Sequence, residues 1–481
     1  MKYIRFTRHF ETLKHNMSGQ INDNRAYHNL PCPEAGVETT CRRIRDTLAC
    51  AWHTHSTQRA GPPFSMVQDI THRKQSADTL PLVASANRAL TQFIQLTDIK
   101  DCRISGSDLL YERRLLHSLA TQSPHLALSS CRLLSCADRV LAVNLPRDLD
   151  WELLPAWLGP WRDHVSIKRG DWSTLADYCR QLNAADLLAQ AHLLGMAVAT
   201  ADQLPPPPSE PVHRQPFHDI SGPATRRKAG PPVVLDLSSL WAGPLCGYLL
   251  QQAGCRVIKV EGLNRLDGAR RGLADFYHLL NQGKESVVLD FKTEAGIKRL
   301  KQLIAIADIV IEASRPRALR NMGIFAEQLA QTQPGLVWLS ITGYGRNGGQ
   351  EDRIGFGDDA AAAAGLSQVM FEATGDYQIV GDAIADPLTG IQGALAGWRS
   401  HLAGGNAMLS VSLFDTVSYC LHQELHSNRE AVLQSCRQWS RNSNNLSQYF
   451  AAGPRLPTSY CASPGQHNEA IFSALDHGSL T

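Results

Sequence analysis

VVLDLSSLWAGPLCGYLLQQAGCRVIKVE, residues 233–261, begins with a short run of branched and long apolar side chains and ends on another, Arg256 to Val260. Between them Leu245 to Ala253 spaces its apolar residues as a helix does, just behind a Gly-Pro pair. The same alternation continues through Ser286 to Leu289, Asp308 to Ile311 and Leu336 to Ile341, with Glu294 to Ala307 as a further helix. Repeated βαβ units require a parallel sheet, because each crossover helix returns the chain to the same end of the sheet and covers one face on the way. The expected fold class is therefore α/β, an open Rossmann-like parallel sheet with helices on both faces over residues 233–425.

Upstream the pattern changes. Cys131-Arg-Leu-Leu and Val140-Leu-Ala-Val-Asn-Leu145 read as two strands of a hairpin turning at Ala137-Asp138-Arg139. Asp148 is placed to cap a helix with Leu149, Leu153, Leu154 and Trp157 on its apolar face, and a second helix is expected from Ser173 to Leu194. Residues 84–200 thus read as a small α+β domain that precedes the large one. Residues 201–232, with Pro205-Pro-Pro-Pro208 and a charged stretch after it, read as a stiff linker. Residues 1–83 lack a sustained period and read as a disordered basic extension, and 426–481 as a polar tail, partly ordered at most.

At 481 residues the chain is long enough for two or three domains, and its 43% hydrophobic and 19% charged residues are those of a globular protein. No stretch reaches the roughly 18 uninterrupted apolar residues of a membrane span. The net charge of +2 comes from a surplus in the first 90 residues that forms no basic stripe, so neither a nucleic-acid nor a membrane partner is expected. The histidines near the start, His53 and His55 among them, show no ligand spacing that would hold a metal. Twelve cysteines without a CxxC pair read as reduced thiols, and the cytoplasm is the expected setting.

Gly343-Tyr-Gly345-Arg-Asn-Gly348 follows a predicted strand and matches the dinucleotide fingerprint GxGxxG. That fingerprint works only where a helix opens at the third glycine and points its N–H groups at a pyrophosphate. Here the continuation, Gly349-Gln-Glu-Asp-Arg353, has no helical apolar period. NAD and FAD are not expected.

Several further blocks occur in order: Leu235-Asp-Leu-Ser-Ser-Leu-Trp241-Ala-Gly-Pro244, Ala253-Gly-Cys-Arg-Val-Ile-Lys259-Val-Glu261, Asn281-Gln-Gly-Lys284, Ala307-Asp308-Ile-Val-Ile-Glu312 with Arg315-Pro316, Leu339-Ser-Ile-Thr-Gly343-Tyr344 and Gly381-Asp-Ala-Ile-Ala-Asp386-Pro-Leu-Thr389-Gly390. Together they resemble the family III CoA transferases, the class of the formyl-CoA and carnitine-CoA transferases. The resemblance implies that Asp386 is the catalytic nucleophile, passing CoA from an acyl-CoA to a carboxylic acid through aspartyl anhydride and aspartyl-CoA thioester intermediates. It implies CoA as co-substrate with no tightly bound cofactor, and a homodimer. The positions that match CoA contacts are Leu240, Ala242, Lys284, Ala318, Arg320 and Tyr344. Arg320 stands one place earlier than the family's phosphate-binding arginine, and Gly262 stands where a basic residue often follows the Glu. Either phosphate affinity is reduced or Arg320 reaches round.

Read alone, Asp386-Pro387 is a helix N-cap followed by its first residue, with Ile391 to Leu402 as the helix. The two roles are compatible, since a helix N-terminus would hold the carboxylate ionised. Gly390, Gly393 and Gly397 share one face and read as a close helix contact. Two rivals stand beside the transferase: an α-methylacyl-CoA racemase, which would use a His-Asp pair where this chain has Gly357-Asp358, and an inactive CoA-binding scaffold. Residues 102–200 resemble the family's small domain placed before the large one. The chain is then either a permuted enzyme or half of a fused duplicate.

Overall fold

A computed structural model describes residues 80–97, 99, 104–121, 130–161, 165–217, 230–346, 349–442 and 455–479. The chain divides into two compact units, residues 1–73 and 74–481. The first lies outside the described residues, and with it nearly all of the expected basic extension.

In chain order the second unit contains α1 (Val83–Gln95), α2 (Gly106–Thr121), β1 (Cys131–Ser135), β2 (Val140–Asn144), α3 (Asp148–Glu152), α4 (Leu154–Leu158), α5 (Trp172–Cys179), α6 (Ala184–Leu194), β3 (Ala197–Thr200) and β4 (Val212–Pro216). There follow β5 (Val233–Leu237), α7 (Ala242–Gln252), β6 (Arg256–Gly262), α8 (Ala274–Asn281), β7 (Glu285–Leu289), α9 (Glu294–Ile306), β8 (Ile309–Glu312), α10 (Pro316–Asn321), α11 (Ala326–Thr332) and β9 (Val337–Thr342). The unit closes with α12 (Gly357–Ala363), α13 (Leu366–Thr374), α14 (Ala385–Leu402), β10 (Ala407–Ser412), α15 (Leu413–Asn442) and α16 (Asn468–Asp476).

The large sheet has the order β4-β10-β9-β8-β5-β6-β7. Strands β5 to β10 run parallel, and β4 joins β10 antiparallel at one edge. Side chains alternate between two buried faces: Val234, Val257, Ile309 and Leu339 meet α7 and α14, whereas Leu235, Ile258, Val310 and Trp338 meet α9. This is the physical reason the strands read as unbroken apolar runs. The order reverses beside β5, with β6 on one side and β8 on the other, so a crevice opens at the carboxyl ends of those strands. A second sheet, β1-β2-β3, is antiparallel and encloses its own core around Trp151, Trp157 and Leu187.

Several boundaries differ from the sequence reading. The helix expected over 173–194 is two helices, because the carboxylate of Asp138 in the hairpin turn accepts from Ala184 N at 2.8 Å and starts α6 afresh. Asp148 opens α3 as its first residue, with Arg147 at the cap, and Leu149 is exposed. The linker contributes strand β4. Helices α1 and α2, read with the small domain, bury Phe93, Leu109 and Leu110 in the main core. The segment read as a polar tail contributes Val432, Cys436 and Trp439 to that core, and His467 and Asn468 hydrogen-bond along the free edge of β7 through Ser286 and Val288. Polar side chains there replace a neighbouring strand, which composition cannot announce. No described helix is long and apolar enough to cross a membrane.

Candidate active site

Residues 381–384 form a tight turn in which Gly381 and Ala383 have φ of 78° and 49°. A non-glycine residue in this region is uncommon and costs free energy, so something must hold it. Ala383 N donates to Asp358 Oδ1 at 2.8 Å, and Asp386 N donates back to Ala383 O at 2.8 Å. Helix α14 starts at Ala385 with Ile384 at its cap. Asp386 therefore stands in the first turn and is not the cap.

Three helix starts meet at its carboxylate. The backbone N–H of Ala242, first residue of α7, faces the Asp386 carboxyl and favours its charged form. Asp386 Oδ2 also lies over Gly357, first residue of α12, where any Cβ would collide with it and with Ala383 O. Gly390 lets α14 approach α7 closely, since a Cβ there would lie 2.7 Å from Ala242 O. Burial pushes the Asp386 carboxyl up to about 7; Arg113 and the Ala242 N–H pull it down, and Asp358 and Asp359 push it further up. The expectation of a carboxylate fully ionised by the helix dipole is thus corrected. Desolvation outweighs the helix N-terminus, so burial shifts the balance toward the neutral acid.

Asp359 is buried beside it and is likewise pushed up to about 7 by burial. It accepts from Asn144 Nδ2 at 2.8 Å, which ties strand β2 of the small sheet to the site. Tyr344 Oη lies 3.3 Å from Asp359 Oδ2, and the Arg353 guanidinium stacks 3.6 Å from the centre of the Tyr344 ring. The structure therefore brings Tyr344 to the acid cluster, with only 7% of its surface exposed.

Leu240 and Ala242 frame the turn after β5. Leu240 takes φ of 71° and is held by Asp267 Oδ1, which accepts from its N–H at 3.0 Å. Asp267 is paired in turn with Lys259 at 3.0 Å, and Lys259 also donates to Ser238 O at 3.0 Å. Lys284, which the sequence reading assigned to the adenine end or a phosphate of CoA, is enclosed beneath this turn. Its Nζ donates to Asp236 at 2.9 Å, Pro244 O at 2.8 Å and Asn281 Oδ1 at 3.2 Å, so its three protons already have acceptors. Burial alone would raise Asp236; Lys284 and Lys259 win and hold its carboxyl down at about 2.

Ala318 and Arg320 lie on α10, just past β8. Ala318 is half-buried, and Arg320 is exposed and pairs with Glu327 at 3.3 Å. The stronger cationic feature is one that sequence reasoning missed. Arg315 is held below its ordinary value first by partial burial and then by Arg317, with Arg147 and Arg265 adding to the repulsion and Asp352 opposing it. Arg265 after β6 and Arg315 and Arg317 after β8 thus bring positive charge to the strand ends where the sheet order reverses, with Arg147 of the small sheet, itself paired with Asp150, adding to the repulsion. Arg315 stood in a quoted block, and Arg265 stands three residues after the Gly262 that lacked a positive charge. The exposed side chains of Leu240, Leu263 and Leu266 add apolar surface around the same strand ends.

A sequence model described as CoA-transferase family III matches residues 232–481. The chain is 29% identical over 195 residues to a succinyl-CoA–D-citramalate CoA-transferase of Chloroflexus aurantiacus, a match covering 38% of this chain and 48% of that protein. It is 29% identical over 229 residues to the human succinyl-CoA:glutarate CoA-transferase, covering 45% of this chain and 52% of the other. A CAIB/BAIF family protein from Brucella suis superposes with a TM-score of 0.42 at 21% identity, over 51% of this chain and 99% of that one. The chain spans about half the length of the curated relatives it matches. With the family's sequence model accounting for more than half of its residues, the chain belongs to CoA-transferase family III.

Proposed function

We propose that the chain transfers CoA from an acyl-CoA to a carboxylic acid, with Asp386 as the covalent carrier. The observation that carries this reading is the placement of one carboxylate at three converging helix starts, seated against Gly357, whose missing Cβ is what allows the carboxylate to sit there. Ionised Asp386 attacks the thioester carbonyl; a C–O bond forms, the C–S bond breaks, and an aspartyl anhydride and CoA thiolate result. The thiolate attacks the aspartyl carbonyl, releasing the donor acid and leaving an aspartyl-CoA thioester. The acceptor carboxylate displaces CoA again to form a second anhydride, and the thiolate then takes the acceptor acyl group and restores Asp386. The N–H of Ala242 is available to the oxyanions formed at Asp386. Arg265, Arg315 and Arg317 at the strand ends suit the phosphates of CoA, with Leu240, Ala242, Ala318, Arg320 and Tyr344 as the contacts carried over from the family. A homodimer and a cytoplasmic setting belong to the same reading.

The racemase alternative needs an imidazole where Gly357 stands, and a side chain there would strike Asp386. Incubation with a panel of acyl-CoA thioesters and hydroxylamine is expected to trap Asp386 as a hydroxamate, readable by peptide mass spectrometry. Asp386→Asn should lower CoA transfer about 1,000-fold or more, as loss of a covalent nucleophile does. Since the anion reacts and its folded pKa is about 7, kcat/KM of the wild type should rise with pH through about 7. Exchange of the α-proton of a 2-methylacyl-CoA in deuterated water, without a trapped adduct, would make the racemase the correct reading.

A further inference from the structure

Helix α2 lies outside the segment that matches the family, yet it reaches the centre of the site. It is held there by its own network. Glu112 is buried and takes a two-pronged pair from Arg455 at 2.6 and 2.9 Å, while the Arg455 guanidinium also stacks 4.8 Å from the centre of the Tyr248 ring on α7. Gly106 packs directly on the backbone of Ala86 and donates to Asn87 Oδ1 at 2.7 Å, which fixes α2 against α1. Glu424 on α15 in turn accepts from the N–H groups of Leu82 and Ser85 at 3.2 and 2.7 Å, and so caps α1 from another helix.

From this mounting Arg113 touches both turns that frame Asp386. Its Nε donates to Asp382 Oδ2 at 2.9 Å and its Nη2 to Asp382 Oδ1, which grips the strained turn before α14. The flat face of the guanidinium lies 4.7 Å from the centre of the Trp241 ring, the residue before Ala242. The charged groups that act on Asp386 are Arg113 from α2 and Asp358 and Asp359 from α12, together with the Ala242 N–H of α7; Asp382 lies on Arg113, and Arg114, also on α2, acts on Asp382 and Asp358. Of the two arginines Arg113 is the one that acts on Asp386 itself and grips Asp382 with its fork. The two-pronged geometry is one that only arginine supplies, since a lysine brings a point charge without the planar fork.

We propose that Arg113 is a positioning residue for Asp386: a cation delivered by the N-terminal arm that fixes the Asp382–Ala383 turn and sets the charge state from which Asp386 reacts. This rests on the reading of Asp386 as the carrier, and it adds that residues 232–481 alone are not a complete active site. Arg113 acts through Asp382 and through its field, without touching substrate.

The test uses the full chain with 13C-labelled aspartate, following the carboxyl titration of Asp386 by NMR, its resonance assigned by its loss in Asp386→Asn. Alongside it, the acid limb of kcat/KM is measured. Arg113→Met should raise the Asp386 midpoint by about one pH unit, the size expected for loss of a nearby opposite charge. Arg113→Lys should restore most of that shift. Asp382→Asn should move the midpoint the other way, downward, because it removes a carboxylate while leaving the guanidinium in place. A merely structural role predicts no such opposition of sign. An unmoved midpoint in folded Arg113→Met, or a shift in the same direction in Arg113→Met and Asp382→Asn, would overturn the proposal. If Arg113→Met does not fold, the opposite signs of Arg113→Lys, slightly up, and Asp382→Asn, down, decide it. The carrier reading fails separately, through transfer activity retained in Asp386→Asn, while the titration still reads Arg113.

Discussion

Replacing Lys284 by Met is expected to lower the free energy of unfolding by about 3 to 5 kcal/mol, the usual cost of removing one partner of a buried ion pair. The lysine and Asp236 are both enclosed, with side chains 1% and 0% exposed. Without the ammonium, Asp236 keeps Lys259 and Ser238 as neighbours but loses the charge that faces it most directly. Against a total stability of about 5 to 15 kcal/mol for a domain, such a loss is large and would be read in a urea titration. The double variant Lys284→Met with Asp236→Asn should recover much of it, since no unpaired charge then remains. If Lys284 instead faced solvent and a CoA phosphate, the single variant would unfold like the wild type and lose only affinity for CoA.

Gly357→Ala should lower kcat by about 100-fold or more while leaving CoA binding close to normal, a displacement of the order of 1 Å at a reacting group being enough for that. The new Cβ has no free space. Asp386 Oδ2 fills it on one side and the carbonyl of Ala383 on the other, and the latter is backbone in a turn that Asp358 already anchors. The carboxylate must swing off its position, away from the Ala242 N–H. Stability should fall by about 1 to 3 kcal/mol from overpacking, which circular dichroism melting would register separately from the activity loss. The split between kcat and binding follows because the arginines at the ends of β6 and β8 do not pack on Gly357. Equal losses in both, or an unchanged kcat, would mean that Asp386 is not held where the chemistry requires.

The parallel sheet was legible in residues 233–341 because both of its faces are covered, so each strand is an uninterrupted apolar run that needs no tertiary knowledge to find. The block around Asp386 located a helix start, which the structure has at Ala385. The burial that raises the Asp386 carboxyl was not legible there, because a helix start reads as a stabiliser of charge until burial and the neighbouring Asp358 and Asp359 are in place. Lys284 misled for the same reason: a lysine after Asn281-Gln-Gly reads as a turn residue in solvent, and only the strand β5 beneath it reveals Asp236. Arg113 left no trace at all, since nothing local to α2 announces a partner as far along the chain as Asp382. The edge of β7 likewise waited for His467 and Asn468, whose side chains stand in for a strand that composition would never predict.

The most direct measurement follows oxygen. When the acceptor acid carries 18O in both carboxylate positions, the second anhydride breaks on the acceptor side and leaves one labelled oxygen on the carrier. After turnover and proteolysis, the peptide containing Asp386 should be heavier by about 2 Da, and approach about 4 Da as both oxygens exchange. Turnover that transfers CoA while that peptide keeps its natural mass would contradict an acyl bond to Asp386.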